Sequence, residues 1–172
     1  EGHPRLFSEF TRVLPDDERQ ALLAAHYHPY REQVRRMIER NLAAGESVLH
    51  LSVHSFTPVL KGKTRTAELG LLYDPARPAE LRFCRAWQLR LRAALPDARI
   101  RRNYPYHGAS DGLQRMLRRS FPTPRYVAVE LELNQALAGA SGRFPPRLLG
   151  AIATSLGPVV RQRGRRLTRL VG

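Results

Sequence analysis

His54, Glu130, Glu132 and a cluster of arginines are the residues whose types and spacing could do chemistry. His54 closes the alternating run Ser47-Val-Leu-His-Leu-Ser-Val-His54 and is followed by Ser55-Phe56-Thr57-Pro58, a sharp exit from extended structure. A histidine at the carboxyl end of a strand serves as a metal ligand or general base. It serves equally as a hydrogen-bonded residue at a turn. His50 shares its face two steps deeper, which suits a histidine that supports a site from behind or fills the core. Glu130 and Glu132 face one way within Tyr126-Val-Ala-Val-Glu-Leu-Glu-Leu-Asn-Gln135. Two carboxylates on one face of an apolar strand are costly to bury unless they are paired or functional. In an arginine-rich chain a structural ion pair is the alternative. Arg102 and Asn103 stand before the loop Tyr104-Pro-Tyr-His-Gly108, and Arg65 follows Gly62-Lys63-Thr64. A guanidinium beside a Gly/Pro loop suits a carboxylate-bearing ligand, because arginine grips carboxylates bidentately. A loop anchored on its own backbone is the plainer reading.

These residues need elements to position them. Pro15-Asp-Asp-Glu18 is a helix start, with acids favoured by the dipole of the first turn. Leu23, Tyr27, Tyr30, Val34, Ile38 and Leu42 then recur at helical spacing to Ala44, with Pro29 breaking or kinking the run and Gly45 ending it. Strands are predicted at 47–54, 68–73, 99–103 and 125–133, and helices at 78–95, 111–120 and 145–161. Alternating helices and strands predict one α/β domain over 1–172, a mixed, largely parallel sheet flanked by helices. In such sheets functional groups gather at carboxyl ends of strands. His54-Ser55, Arg102-Asn103 and Glu130/Glu132/Asn134 all meet that condition.

Composition narrows the function classes. At 172 residues with 42% hydrophobic content and mean hydropathy of −0.41, the chain resembles an ordinary soluble globular protein. No run approaches the roughly 20 apolar residues of a membrane span, and nothing at Glu1-Gly-His-Pro4 suggests export, so a cytoplasmic location is expected. The chain lacks an initiating Met, which fits processing or a piece of a longer reading frame. Cys84, the single cysteine, falls on the helical stripe Leu81, Cys84, Trp87, Leu91, Leu95 and reads as core. A net charge of +14 raises the question of nucleic acid. Only Lys61 and Lys63 among the 29 basic residues are lysines, a usage that GC-rich coding also produces. The densest basic cluster is Arg161, Arg163, Arg165, Arg166 and Arg169. Nucleic-acid binding therefore stands as an alternative function, without a recognition-helix, aromatic-platform or zinc-finger motif behind it.

Four strings in order are more specific than their parts: Val48-Leu-His-Leu-Ser-Val-His-Ser-Phe-Thr-Pro58, Arg65-Thr-Ala-Glu-Leu-Gly-Leu-Leu-Tyr-Asp-Pro75, Arg101-Arg-Asn-Tyr-Pro-Tyr-His-Gly108 with Asp111-Gly112, and Tyr126 to Gln135. Together they resemble the N-formylglutamate amidohydrolase family. The resemblance implies a zinc-carboxypeptidase-like core, here lacking its first strands, and a divalent metal, zinc, that activates water. It implies hydrolysis of an acylated amino acid, N-formyl-L-glutamate to formate and L-glutamate, in histidine degradation. His54 would be the metal ligand, Glu132 the general base or acid with Glu130 as understudy. Arg65, Arg102 and Asn103, with Tyr106 from the same loop, would hold substrate. Family members also carry an earlier strand and an Asp/His segment that supply further ligands, and this sequence starts after them. A catalytic zinc takes three protein ligands, so these residues alone are expected to bind metal weakly and turn over little. A non-catalytic remnant of the fold is the third reading.

Overall fold

The computed structural model describes residues 7–110 and 112–168, side chains beyond 161 excepted. Asp111, and all of the basic tail after Arg161, therefore lie outside the described side chains. The chain read as one domain groups into two compact units, Glu1–Ala44 and Gly45–Gly172.

The first unit is helical. Helix α1 (Asp16–Leu22) starts with three acids in its first turn, one of them paired with Arg19. A π-helical turn, Leu23–Tyr27, leads into α2 (His28–Ala43), where Pro29 occupies the first turn. Proline has no N–H to give to an i−4 carbonyl, and the wide turn before it absorbs that loss. The expected kink is thus a π-turn. Gly45, at φ +82°, ends α2 in the left-handed region that suits glycine.

The second unit holds a four-stranded sheet in the order β1 (Val48–Phe56), β6 (Tyr126–Asn134), β4 (Leu69–Leu72), β5 (Ile100–Arg102). The pairs β1/β6 and β4/β5 are parallel, while β4 runs antiparallel to β6. Between β1 and β4 a small hairpin joins β2 (Val59–Leu60) to β3 (Lys63–Thr64) through Lys61 and Gly62, both at positive φ. The strands predicted at 47–54 and 68–73 do not include this hairpin. Helices α3 (Pro78–Ala94) and α5 (Pro146–Thr168) pack on one face of the sheet. Phe83, Cys84, Trp87 and Leu91 of α3 meet Leu69, Leu71, Val127, Val129, Leu131 and Leu133 there, with Leu148 and Val159 from α5. Trp87 Nε1 donates to Ser155 Oγ at 3.0 Å, which satisfies the indole inside this core. Cys84 is fully buried and its thiol is pushed up by that burial, so it is a core residue as read.

Helix α4 (Gly112–Ser120) lies against β6, with Gln114 and Arg118 buried. Arg118 donates Nε to Glu80 Oε1 (3.0 Å), Nη1 to the Gly108 carbonyl (2.6 Å) and Nη2 to the Ala128 carbonyl (3.1 Å). Glu80 also receives Arg77 Nε (3.1 Å) and the backbone N–H groups of Asp74 and Ala128. This saturated ion cluster ties α3, α4, β6 and the 103–108 loop together. After β6 the chain makes a 3-10 turn, Gln135–Ser141, absent from the sequence reading. Among the described residues no helix is long and apolar enough to cross a membrane.

Candidate active site

Strand pleating decides which candidates meet. Side chains at facing positions of neighbouring strands project to the same side. Along β1 and β6 the facing pairs are Ser52 with Glu130, His54 with Glu132, and Phe56 with Asn134. Glu132 also faces Gly70 of β4. Glu132 therefore stands between an imidazole on one side and a bare backbone on the other.

The Glu132 residue is only 5% exposed, and its Oε2 is buried with no hydrogen-bond partner. Burial raises its carboxyl above the usual range; His54 and Arg65 pull it down, and Glu130 pushes it up. A buried carboxyl with an unsatisfied oxygen is expensive structurally and is the form a general base takes. His54 is exposed at the mouth of this arrangement.

Gly70 leaves room that the 103–108 loop fills. A Cβ there would collide with the Tyr104 carbonyl, and one at Gly108 would collide with the Tyr73 backbone. The Tyr104–Pro105 peptide is cis. This loop carries Tyr106 to Arg65, whose Nη1 donates to the Tyr106 hydroxyl at 3.1 Å. The guanidinium lies 5.0 Å from the Tyr106 ring centroid and 5.7 Å from that of Phe56. Asn134 holds the other side. Its Nδ2 donates to the carbonyls of Arg65 (3.1 Å) and Ala67 (2.9 Å), and its Oδ1 caps the 3-10 turn through Ala136 N–H at 3.0 Å.

His54, Glu132, Arg65 and Tyr106 are thus brought together, with Glu130 one step deeper on the same face. Arg102 is not. It faces Leu71, itself opposite Leu131, and so projects to the α3 side, where Nη1 reaches the Tyr73 hydroxyl at 3.5 Å. The expectation that strand carboxyl ends converge fails for β5, because β4 and β5 run against β6. Asn103, at φ +50°, accepts from the N–H groups of Tyr73 (3.0 Å) and Gly108 (3.3 Å) through Oδ1. Those are the contacts of a loop anchor. His50 is half-buried between the Tyr126 hydroxyl (3.0 Å) and Ser52 Oγ (3.4 Å), and burial, then Arg118, lowers its pKa. Sequence reasoning passed over Asn134 as a clamp and Arg118 as a loop anchor. A buried-strand asparagine was the one visible signal for the first.

His54 is the one candidate metal donor among the residues named, two short of a catalytic zinc's three protein ligands. Among the described residues no three His, Cys, Asp or Glu side chains converge into a metal-holding group. By themselves these residues do not make the zinc site that the resemblance implies.

A family model described as N-formylglutamate amidohydrolase matches residues 5–138. The fold is shared with the crystal structure of a gene product from Agrobacterium tumefaciens, 28% identical with a TM-score of 0.65, over 87% of this chain and 56% of that one. An N-formylglutamate amidohydrolase from Ralstonia eutropha matches with a TM-score of 0.64 and 19% identity, over 87% of this chain and 55% of that one. The chain thus spans just over half the length of the solved structures it resembles. No curated protein matches it.

Proposed function

Because the chain belongs to the N-formylglutamate amidohydrolase family, we propose that it takes part in hydrolysing the amide of an N-acylated amino acid, N-formyl-L-glutamate foremost. The observation that carries this reading is the buried, unsatisfied Oε2 of Glu132 beside His54. Glu132 as carboxylate removes a proton from water as the water oxygen attacks the formyl carbon. The same carboxyl then delivers that proton to the amide nitrogen, the C–N bond breaks, and formate and L-glutamate leave. Arg65, steadied between Phe56 and Tyr106, is the cation for a substrate carboxylate. His54, one strand over, is the residue here that would hold a metal. Glu130 raises the Glu132 pKa and so supports its return to the protonated form.

Zinc belongs to this proposal as a metal whose remaining ligands would come from beyond the described residues. Cytoplasmic histidine degradation is the matching metabolic setting. The test is formate release from N-formyl-L-glutamate by the protein, its E132Q variant and its R65Q variant. The reading predicts release that E132Q abolishes and that R65Q weakens through KM. Release that survives E132Q would remove Glu132 from the chemistry.

A further inference from the structure

The charge of this protein is not spread as coding bias would spread it. Residues 1–44 hold seven arginines and seven acids and are neutral; residues 45–172 hold 22 basic residues and eight acids, the whole +14. In the first unit Arg19, Arg35 and Arg36 are paired along their own helices, Arg35 with Glu39 at 3.0 Å and Arg36 with Glu32 at 3.3 Å. In the second unit α4 and α5 contain no acidic residue, and the one acid of α3, Glu80, is fully buried and bound to Arg77 and Arg118. A genome's preference for arginine codons acts on both units alike, so it does not explain acids missing from one.

Helices α3 and α5 cover the same sheet face, and their outer side carries exposed Arg82, Arg85, Arg90, Arg92, Arg147 and Arg161. Among the described residues none of the four α3 arginines has a carboxylate partner. Arg82, Arg85 and Arg92 share a stripe with Leu89 at spacings of three, four and three residues, about 15 Å long. Duplex DNA presents about nine phosphates over that axial length. The active-site face is the opposite one.

We infer that this arginine-lined outer surface of α3 and α5 binds the phosphate backbone of a nucleic acid without regard to sequence. Unpaired guanidiniums on a rigid helix are suited to phosphate oxygens, which they grip through paired N–H groups. Two other partners fit less well. A lipid surface needs an apolar helix face to insert, and that of α3 is spent on the core through Phe83, Cys84, Trp87 and Leu91. A protein partner needs an apolar centre, and the stripe offers Leu89 alone, 68% exposed. This surface is independent of the hydrolytic proposal.

The experiment is fluorescence anisotropy of a labelled 20-base-pair duplex titrated with the full chain across a series of NaCl concentrations. Binding should be micromolar, with log K falling against log salt at a slope of about −3 or steeper. R82Q/R85Q/R92Q should take about 2–3 from that slope, and R85Q and R92Q singly about 1 each, so the result does not hang on the triple variant's folding. R35Q/R36Q/R40Q on α2 should change nothing. No binding at low salt, a slope the α3 variants leave alone, or tighter binding to phosphatidylserine-containing vesicles than to the duplex would each overturn the inference.

Discussion

His54 and Glu132 face each other across the parallel β1/β6 pair, both on the side of the sheet where the 103–108 loop packs over Gly70. Nothing but strand register brings them together; 78 positions separate them in sequence. Their pairing puts an exposed imidazole beside a buried carboxyl that its surroundings keep hard to ionise.

That strain on Glu132 has a sign. Its folded pKa lies above the unfolded value, so folding is favoured fully below the unfolded pKa near 4.5 and less as pH rises through the folded one. Replacing it with glutamine removes the penalty at neutral pH. E132Q is expected to melt roughly 2–4 °C above the wild type at pH 7.5, with the gain vanishing near pH 4. Thermal melts at both values check it, and a variant less stable at pH 7.5 would refute the stated cost.

Asn134 tethers the backbone that carries Arg65, through two hydrogen bonds from a side chain in a residue only 4% exposed. N134A leaves those carbonyls unserved and should cost about 1–3 kcal/mol in urea unfolding. Substrate affinity should fall with it, because Arg65 loses its fixed position. An N134A protein with unchanged stability and unchanged KM would dismiss the clamp.

The Arg118–Glu80 pair is buried on both sides and fully hydrogen-bonded. Removing Arg118 leaves the buried Glu80 with Arg77 as its remaining cation and the Gly108 and Ala128 carbonyls unserved. R118M should therefore lose about 3–5 kcal/mol, while R118M/E80Q recovers part of it. A double-mutant cycle in chemical denaturation measures the coupling, and strict additivity would contradict it.

Zinc should be held poorly by His54 alone. After dialysis against metal-free buffer, the protein is expected to retain well under one zinc per chain by elemental analysis. Stoichiometric retention would show that the ligand set is more complete than these residues make it.

The elements were largely legible in the sequence. Alternation marked β1 and β6, the Leu81–Leu95 stripe marked α3, and Gly45 marked the end of α2. His54 and the carboxylates of β6 could be named because each ends or lines a visible strand. What escaped is non-local. Whether Arg102 joins the site depends on the direction of β4 and β5 against β6, and no local pattern states it. Asn103 looked like a ligand-binding amide because its two backbone partners, Tyr73 and Gly108, become neighbours only when the loop folds back. Arg118 was one arginine among many until Glu80, 38 residues earlier, was placed beside it.

The most direct measurement is a 1H–15N chemical-shift map of the protein titrated with N-formyl-L-glutamate. It reports where the ligand sits whether or not turnover occurs. Shifts are expected at His54, Arg65, Tyr106 and residues 130–134 of β6, and R65Q should lose them. Shifts confined to other parts of the molecule, or none at millimolar ligand, would contradict the site proposed at the carboxyl ends of β1 and β6.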